Sequence, residues 1–153
     1  MRVYLVQHAE ALSEEINPDR PLSEVGRQHA NDVAALAARM DVTVQQIRHS
    51  GKTRAAQTAH IFGSKLGVEN VVQSDGLGPV DDVVPVAEEL DQLDDPVMLV
   101  GHLPFMERIA GQLLVGDAEQ PVVQFNNAGL VCLEKTDERW QVLWIILPET
   151  ARI

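Results

Sequence analysis

Three side chains of this chain stand where chemistry on phosphorus could use them. His8 follows the apolar run Tyr4-Leu5-Val6 and then Gln7. His102 follows a second apolar run, Val97-Met98-Leu99-Val100, across the single residue Gly101. Arg54 lies in Ser50-Gly51-Lys52-Thr53-Arg54-Ala55-Ala56-Gln57-Thr58, where a turn opens a helix. Imidazole can attack phosphorus and can also donate hydrogen bonds to phosphate oxygens. The first N–H groups of a helix are free to meet an anion. A cation in that first turn opposes the helix dipole, so Arg54 reads either as a charge placed there for a task or as a solvated arginine. Gly51-Lys52-Thr53 also looks like the end of a nucleotide-binding P-loop. That motif needs a glycine five residues before Gly51, where the chain has Gln46, and the reading is rejected.

The elements that must position these residues follow from periodicity and punctuation. Arg2 to Val6 alternates and then runs apolar, as a buried strand does. Ser23 can N-cap a helix reaching about Met40. Val44 to Ile47 is a short strand, Thr53 to Leu66 a helix ended by Gly67, and Val71-Val72 another short strand. Asp81 to Leu93 reads as a helix after the Pro79 break. Pro96 to Val100 is a strand, followed after Gly101-His102-Leu103-Pro104 by a helix to Leu114. Gly129 to Leu133 and Trp140 to Ile146 flank the polar turn Lys135 to Arg139 and predict a hairpin. Strands separated by helices imply an α/β fold, a three-layer sandwich with a mostly parallel sheet, helices on both faces and a C-terminal hairpin. One domain over residues 1–153 is expected. Ligands of such sheets sit at the carboxyl ends of the strands. Gln7-His8, Ser50 to Arg54 and Gly101-His102 all fall there.

Composition narrows the class. Hydrophobic residues make up 45% and charged residues 23%, which fits a packed globular chain. The lone cysteine, Cys132, excludes an internal disulfide and cysteine-rich zinc sites. No apolar run is long enough for a membrane span and no signal peptide is read, so a soluble, cytoplasmic protein is expected. The net charge of -11 repels nucleic acid and makes any local cluster of arginines informative.

Four segments, in order, resemble the histidine phosphatase superfamily. Val6-Gln7-His8-Ala9-Glu10 is similar to its Arg-His-Gly start. Arg20-Pro21-Leu22-Ser23-Glu24-Val25-Gly26 resembles the Pro-Leu-Thr-x-x-Gly segment that follows. His49 to Ala59 resembles Ser-Pro-x-x-Arg-Ala-x-Gln-Thr-Ala. Val100-Gly101-His102 matches the late Gly-His or Ser-His signature, and Leu103-Pro104 after it resembles the small phosphohistidine phosphatases of the SixA type. The likeness runs from residue 1 to about residue 114.

The resemblance implies a phosphoglycerate mutase-like fold and a phosphatase. His8 would attack phosphorus and carry the phosphoryl group until water releases inorganic phosphate. Arg54 would hold the phosphoryl oxygens and His102 would face them from the opposite side. No cofactor and no metal are implied, and the sequence has no carboxylate cluster to hold one. Gln7 stands where the family usually places arginine, so one charge-assisted bond is missing. Arg20 is the candidate replacement, giving a phosphate-binding set of Gln7, His8, Arg20, Arg54 and His102. Proton donors would be sought at Glu10, Asp81 or Asp82, although the two aspartates read as helix caps. Because a P–N bond to imidazole is intrinsically labile, weak acid help and an open pocket suit a phosphohistidine-bearing protein as partner. Two alternatives are a non-catalytic phosphate-binding module silenced by Gln7 and a small-molecule phosphomonoesterase. His29, His49 and His60 read as surface or structural residues, and Asn126-Asn127 as a pocket rim.

Overall fold

The computed structural model describes residues 1–152. Strands β1 (Arg2–Gln7), β2 (Gln46–His49), β3 (Val71–Gln73), β4 (Val97–Gly101), β5 (Leu130–Thr136) and β6 (Arg139–Ile146) form one sheet. Their order is β3-β2-β4-β1-β5-β6. β1 to β4 are mutually parallel, while β5 runs antiparallel to β1 and β6 antiparallel to β5. The helices are α1 (Glu24–Arg39), α2 (Thr53–Leu66), α3 (Val84–Gln92), α4 (Phe105–Val115) and the short α5 (Pro148–Ala151).

The continuous apolar runs of β1 and β4 follow from their central places, where both faces are covered. Successive side chains of a strand point to opposite faces. Val3 and Leu5 thus pack with Leu90 of α3 and Phe105 and Ile109 of α4. Tyr4 and Val6 pack with Val33 and Ala37 of α1 and Ala59 and Phe62 of α2. This is the three-layer α/β sandwich expected from the sequence. Cys132 of β5 lies in the second of these cores, and burial pushes its thiol up to about 11.

Ser23 caps α1, its Oγ accepting the Gly26 N–H at 3.0 Å, and the left-handed Gly67 ends α2. Three expectations shift. The second strand covers Gln46–His49 rather than Val44 to Ile47. Its register is set by β4, against which Gln46 pairs with Val97 and His49 with Val100. α3 starts at Val84 rather than Asp81, because both aspartates are used before the helix. Asp81 accepts the Gly78 N–H at 2.7 Å and Asp82 the Val84 N–H at 3.0 Å. The hairpin turn narrows to Asp137 and Glu138, both at positive φ (51° and 66°), which suits the tight turns that follow strand twist. α5 has no counterpart in the sequence reading. Among the described residues no helix is long and apolar enough to cross a membrane.

Candidate functional site

The parallel strands β1, β2 and β4 end side by side, so the residues just after them meet. Gln7 of β1 is paired with Gly101 of β4, and the next residue, His8, donates its backbone N–H to the Gly101 carbonyl at 2.9 Å. The His8 and His102 rings lie 5.0 Å apart, tilted by 54°. His8 Nδ1 is 2.8 Å from the Ala9 carbonyl oxygen. A carbonyl only accepts, so Nδ1 carries the proton and Nε2 keeps a free lone pair. Burial pushes the His8 pKa below its ordinary value; the Ala9 bond opposes this, while Arg54 and Arg20 add to it. That direction favours the neutral ring.

His102 is 2% exposed, with Nε2 only 2.6 Å from Ser50 Oγ and Nδ1 without a hydrogen-bond partner. Burial first, then His8, Arg54, Lys52 and Arg20, push its pKa down to about 3. Arg54 itself is depressed by burial and by Arg20. Arg20 sits in the left-handed region at φ 49°, and its Nε donates to the Leu12 carbonyl at 3.0 Å. Among the described residues none of Arg20, Lys52 and Arg54 joins an ion pair, in a chain with 23 acidic residues. An anion would find three cations with no competing carboxylate. Four buried polar side-chain atoms lack a partner among the described residues, and three of them belong here: Gln7 Oε1, Arg54 Nε and His102 Nδ1. Buried polar groups are normally satisfied, so this concentration sets these strand ends apart from the rest of the described residues.

The backbone around His8 is pinned from several elements. The Ala9 N–H donates to Thr58 Oγ1 at 3.0 Å, and that hydroxyl donates to the Arg54 carbonyl at 2.8 Å. Thr58 thereby ties the His8 loop to the α2 turn carrying Arg54. Gln57 Oε1 accepts the Leu22 N–H at 2.8 Å. The Asn127 Nδ2 donates to the His8 carbonyl at 2.9 Å, and the Ala128 N–H to the Gln7 carbonyl at 2.9 Å. Gly26 lies so close that a Cβ there would stand 2.0 Å from the Glu10 carbonyl oxygen.

The structure thus brings together Gln7, His8, Arg20, Arg54 and His102. Glu10 is exposed and lines a groove of about 480 Å³ with His29, Asn126, Asn127 and Glu149. Asp81 and Asp82 are engaged in the turn before α3. Sequence reasoning assigned no role to Thr58, Lys52 or the Ser50–His102 contact, although all three lie in or beside the quoted segments. The sequence places Asn127 at the rim, and nothing in its surroundings signals the bond to His8. Among the described residues no group of three or more His, Cys, Asp or Glu side chains is placed to hold a metal ion.

Comparison with solved structures places this geometry in context. A protein histidine phosphatase SixA complexed with tungstate is 24% identical, with 97% of each chain covered and a TM-score of 0.85. A chain assigned as phosphohistidine phosphatase SixA from Agrobacterium tumefaciens is 29% identical, covering 96% of this chain and 97% of its own, with a TM-score of 0.78. A phosphoserine phosphatase mutant from Entamoeba histolytica, complexed with phosphoserine, shares the fold at 15% identity, 94% and 95% coverage and a TM-score of 0.71. A search of curated proteins finds no match. The family model of the histidine phosphatase superfamily (branch 1) matches residues 3–81, which include His8 and Arg54. The chain belongs to the histidine phosphatase superfamily.

Proposed function

We propose that the protein is a metal-independent phosphatase acting on phosphohistidine carried by a partner protein, through a phospho-His8 intermediate. The observation that carries this reading is the 2.8 Å contact of His8 Nδ1 with the Ala9 carbonyl, which favours the tautomer with Nε2 free, beside cations that join no ion pair among the described residues. Nε2 forms a bond to phosphorus as the bond to the partner's imidazole breaks, and that imidazole, protonated beforehand by solvent on its other ring nitrogen, leaves as a neutral ring. Water then attacks phosphorus, the bond to His8 breaks, and inorganic phosphate departs. Arg54 and Arg20 hold the oxygens as charge shifts between them, and His102 faces them from across the pocket. Gln7 contributes neutral hydrogen bonds only, worth about 1 kcal/mol each against about 1.5–3 for a charge-assisted one. The likeness to SixA structures supports the substrate class. The absence of an acid bonded into the pocket among the described residues supports it too, since a labile P–N bond needs little help. Nothing in the site calls for nucleic acid or a membrane surface, and a cytoplasmic setting suits the lone buried thiol.

The test is a single-turnover assay with a phosphohistidine-bearing protein, following phosphate release and label on the enzyme. Wild type should trap label and His8→Ala should not. If wild type traps none but Gln7→Arg does, the protein is a binding module silenced at position 7. Label passing only from phosphomonoesters would make it a small-molecule phosphatase.

A further inference from the structure

His49 is buried, yet the mechanism above gives it no part. It ends β2, and its Nδ1 accepts the backbone N–H of Gly51, two residues on, at 3.0 Å. The contact closes a ring around Ser50 much as an Asn or Asp side chain does in a turn of this length. Ser50 is the residue whose Oγ meets His102 Nε2 at 2.6 Å and accepts the Lys52 N–H at 3.3 Å. The turn has little freedom to find this shape otherwise. Gly51 is at φ 92°, and a Cβ there would stand 2.5 Å from the Gln73 side chain. The His49 carbonyl is fixed in its turn by the Ser74 N–H at 2.9 Å.

We infer that His49 is a positioning residue for the reaction. Its neutral imidazole holds the Ser50 turn against His102, and protonation of His49 releases that turn. Acceptance at Nδ1 requires the Nε2–H tautomer. A second proton would set N–H against N–H and turn an attraction into a repulsion. The groups around it allow such a response. From α2 comes His60, with ring centroids 6.0 Å apart, and the paired strand neighbours are Gln73 of β3 and Val100 of β4, neither of which ionises. Burial first, and then His60, hold the His49 pKa below its ordinary value, so the turn is intact at pH 7 and is lost on acidification. The inference concerns the site read above as catalytic, but the contact itself can be tested without turnover.

The experiment compares wild type, His49→Asn and His49→Leu. Asn retains a side-chain acceptor for the Gly51 N–H and cannot titrate. Leu offers no acceptor. In the free protein, NMR should show the Gly51 amide and the His102 ring shifting with His49 as pH falls in wild type. In His49→Asn the acid shift should vanish with the pH 7 signals retained. In single turnover at pH 7, His49→Leu should be slower by about five-fold, the worth of one neutral hydrogen bond, and His49→Asn should restore the rate. The acid limb of the rate profile should be shallower in His49→Asn. A Gly51 amide that ignores His49 titration, or the same acid limb in His49→Asn as in wild type, overturns the inference. If His49→Leu does not fold, the His49→Asn titration decides alone. If no variant or wild type turns over, the proposed activity fails while the NMR comparison still tests the positioning.

Discussion

At the scale of single residues, the site keeps its two facing histidines neutral by burying them. His102 carries the clearest signature, a pKa of about 3 against 6.5 for a free imidazole. The unfolded chain takes up this proton below about pH 6.5, but the folded chain does so only near pH 3. The stability tied to a neutral His102 is therefore fully present above pH 6.5 and lost as pH falls toward 3. His8 and His49, also depressed, act in the same direction. Urea unfolding at pH 7 and pH 4.5 should show a lower midpoint at the acid value, and His102→Gln should flatten that dependence. An unchanged slope in the variant would mean that other groups carry it. Residue types at strand ends were legible from sequence, because a polar side chain directly after a buried run sits at the edge of the core, where ligands of parallel sheets bind. The hydrogen bonds that orient them were not, since Thr58 and Ser50 read as ordinary helix and turn residues until the fold sets their partners.

At the scale of elements, α2 does two jobs. Its first turn carries Arg54, and one turn later Thr58 reaches back to the Ala9 N–H. Thr58 is fully buried, so Thr58→Val strands the Ala9 donor in an apolar setting. A buried donor left unsatisfied costs about 1–3 kcal/mol. We expect Thr58→Val to lower stability by that amount in denaturant melts and to slow His8 phosphorylation more than Thr58→Ser does. Equal rates in the two variants would remove Thr58 from the alignment of His8. The parallel core was legible because β1 and β4 are apolar throughout, and strands covered on both faces must be. The start of α3 was misplaced because Asp81 and Asp82 serve the turn before it, accepting the Gly78 and Val84 N–H groups, and share the composition of a helix's first turn. α5 was missed because a single turn of Pro-Glu-Thr-Ala carries no periodicity.

At the scale of the whole molecule, a net charge of -11 surrounds a site whose three cations join no ion pair among the described residues. An approaching phosphoryl dianion first meets the repulsive field and only close in meets Arg20, Lys52 and Arg54. The screening length falls from about 30 Å at 0.01 M salt to about 8 Å at 0.15 M. Raising salt over that range should remove the long-range repulsion before it weakens the pocket, so kcat/KM for a small anionic substrate should rise and then decline at higher salt. A monotonic fall would show that the pocket cations dominate at all distances. This balance was half legible: the total charge is in the composition, but the lack of carboxylate partners for these cations among the described residues is a property of the fold.

Gly26 shows how far the demands of the site extend. It touches nothing reactive, yet its missing Cβ lets α1 rest on the Glu10 carbonyl two residues beyond His8. The approach is to backbone, which cannot rotate aside as a long side chain could. Even Gly26→Ala should displace the His8 loop and cut activity, although alanine favours the helix by about 1 kcal/mol. In a saturation library scored by activity, position 26 should therefore tolerate as little as position 8. Scored by expression alone, the two should part company, because truncating His8 creates no collision whereas any Cβ at position 26 does. The evolutionary freedom of this chain is thus limited by a steric address as strictly as by a chemical one.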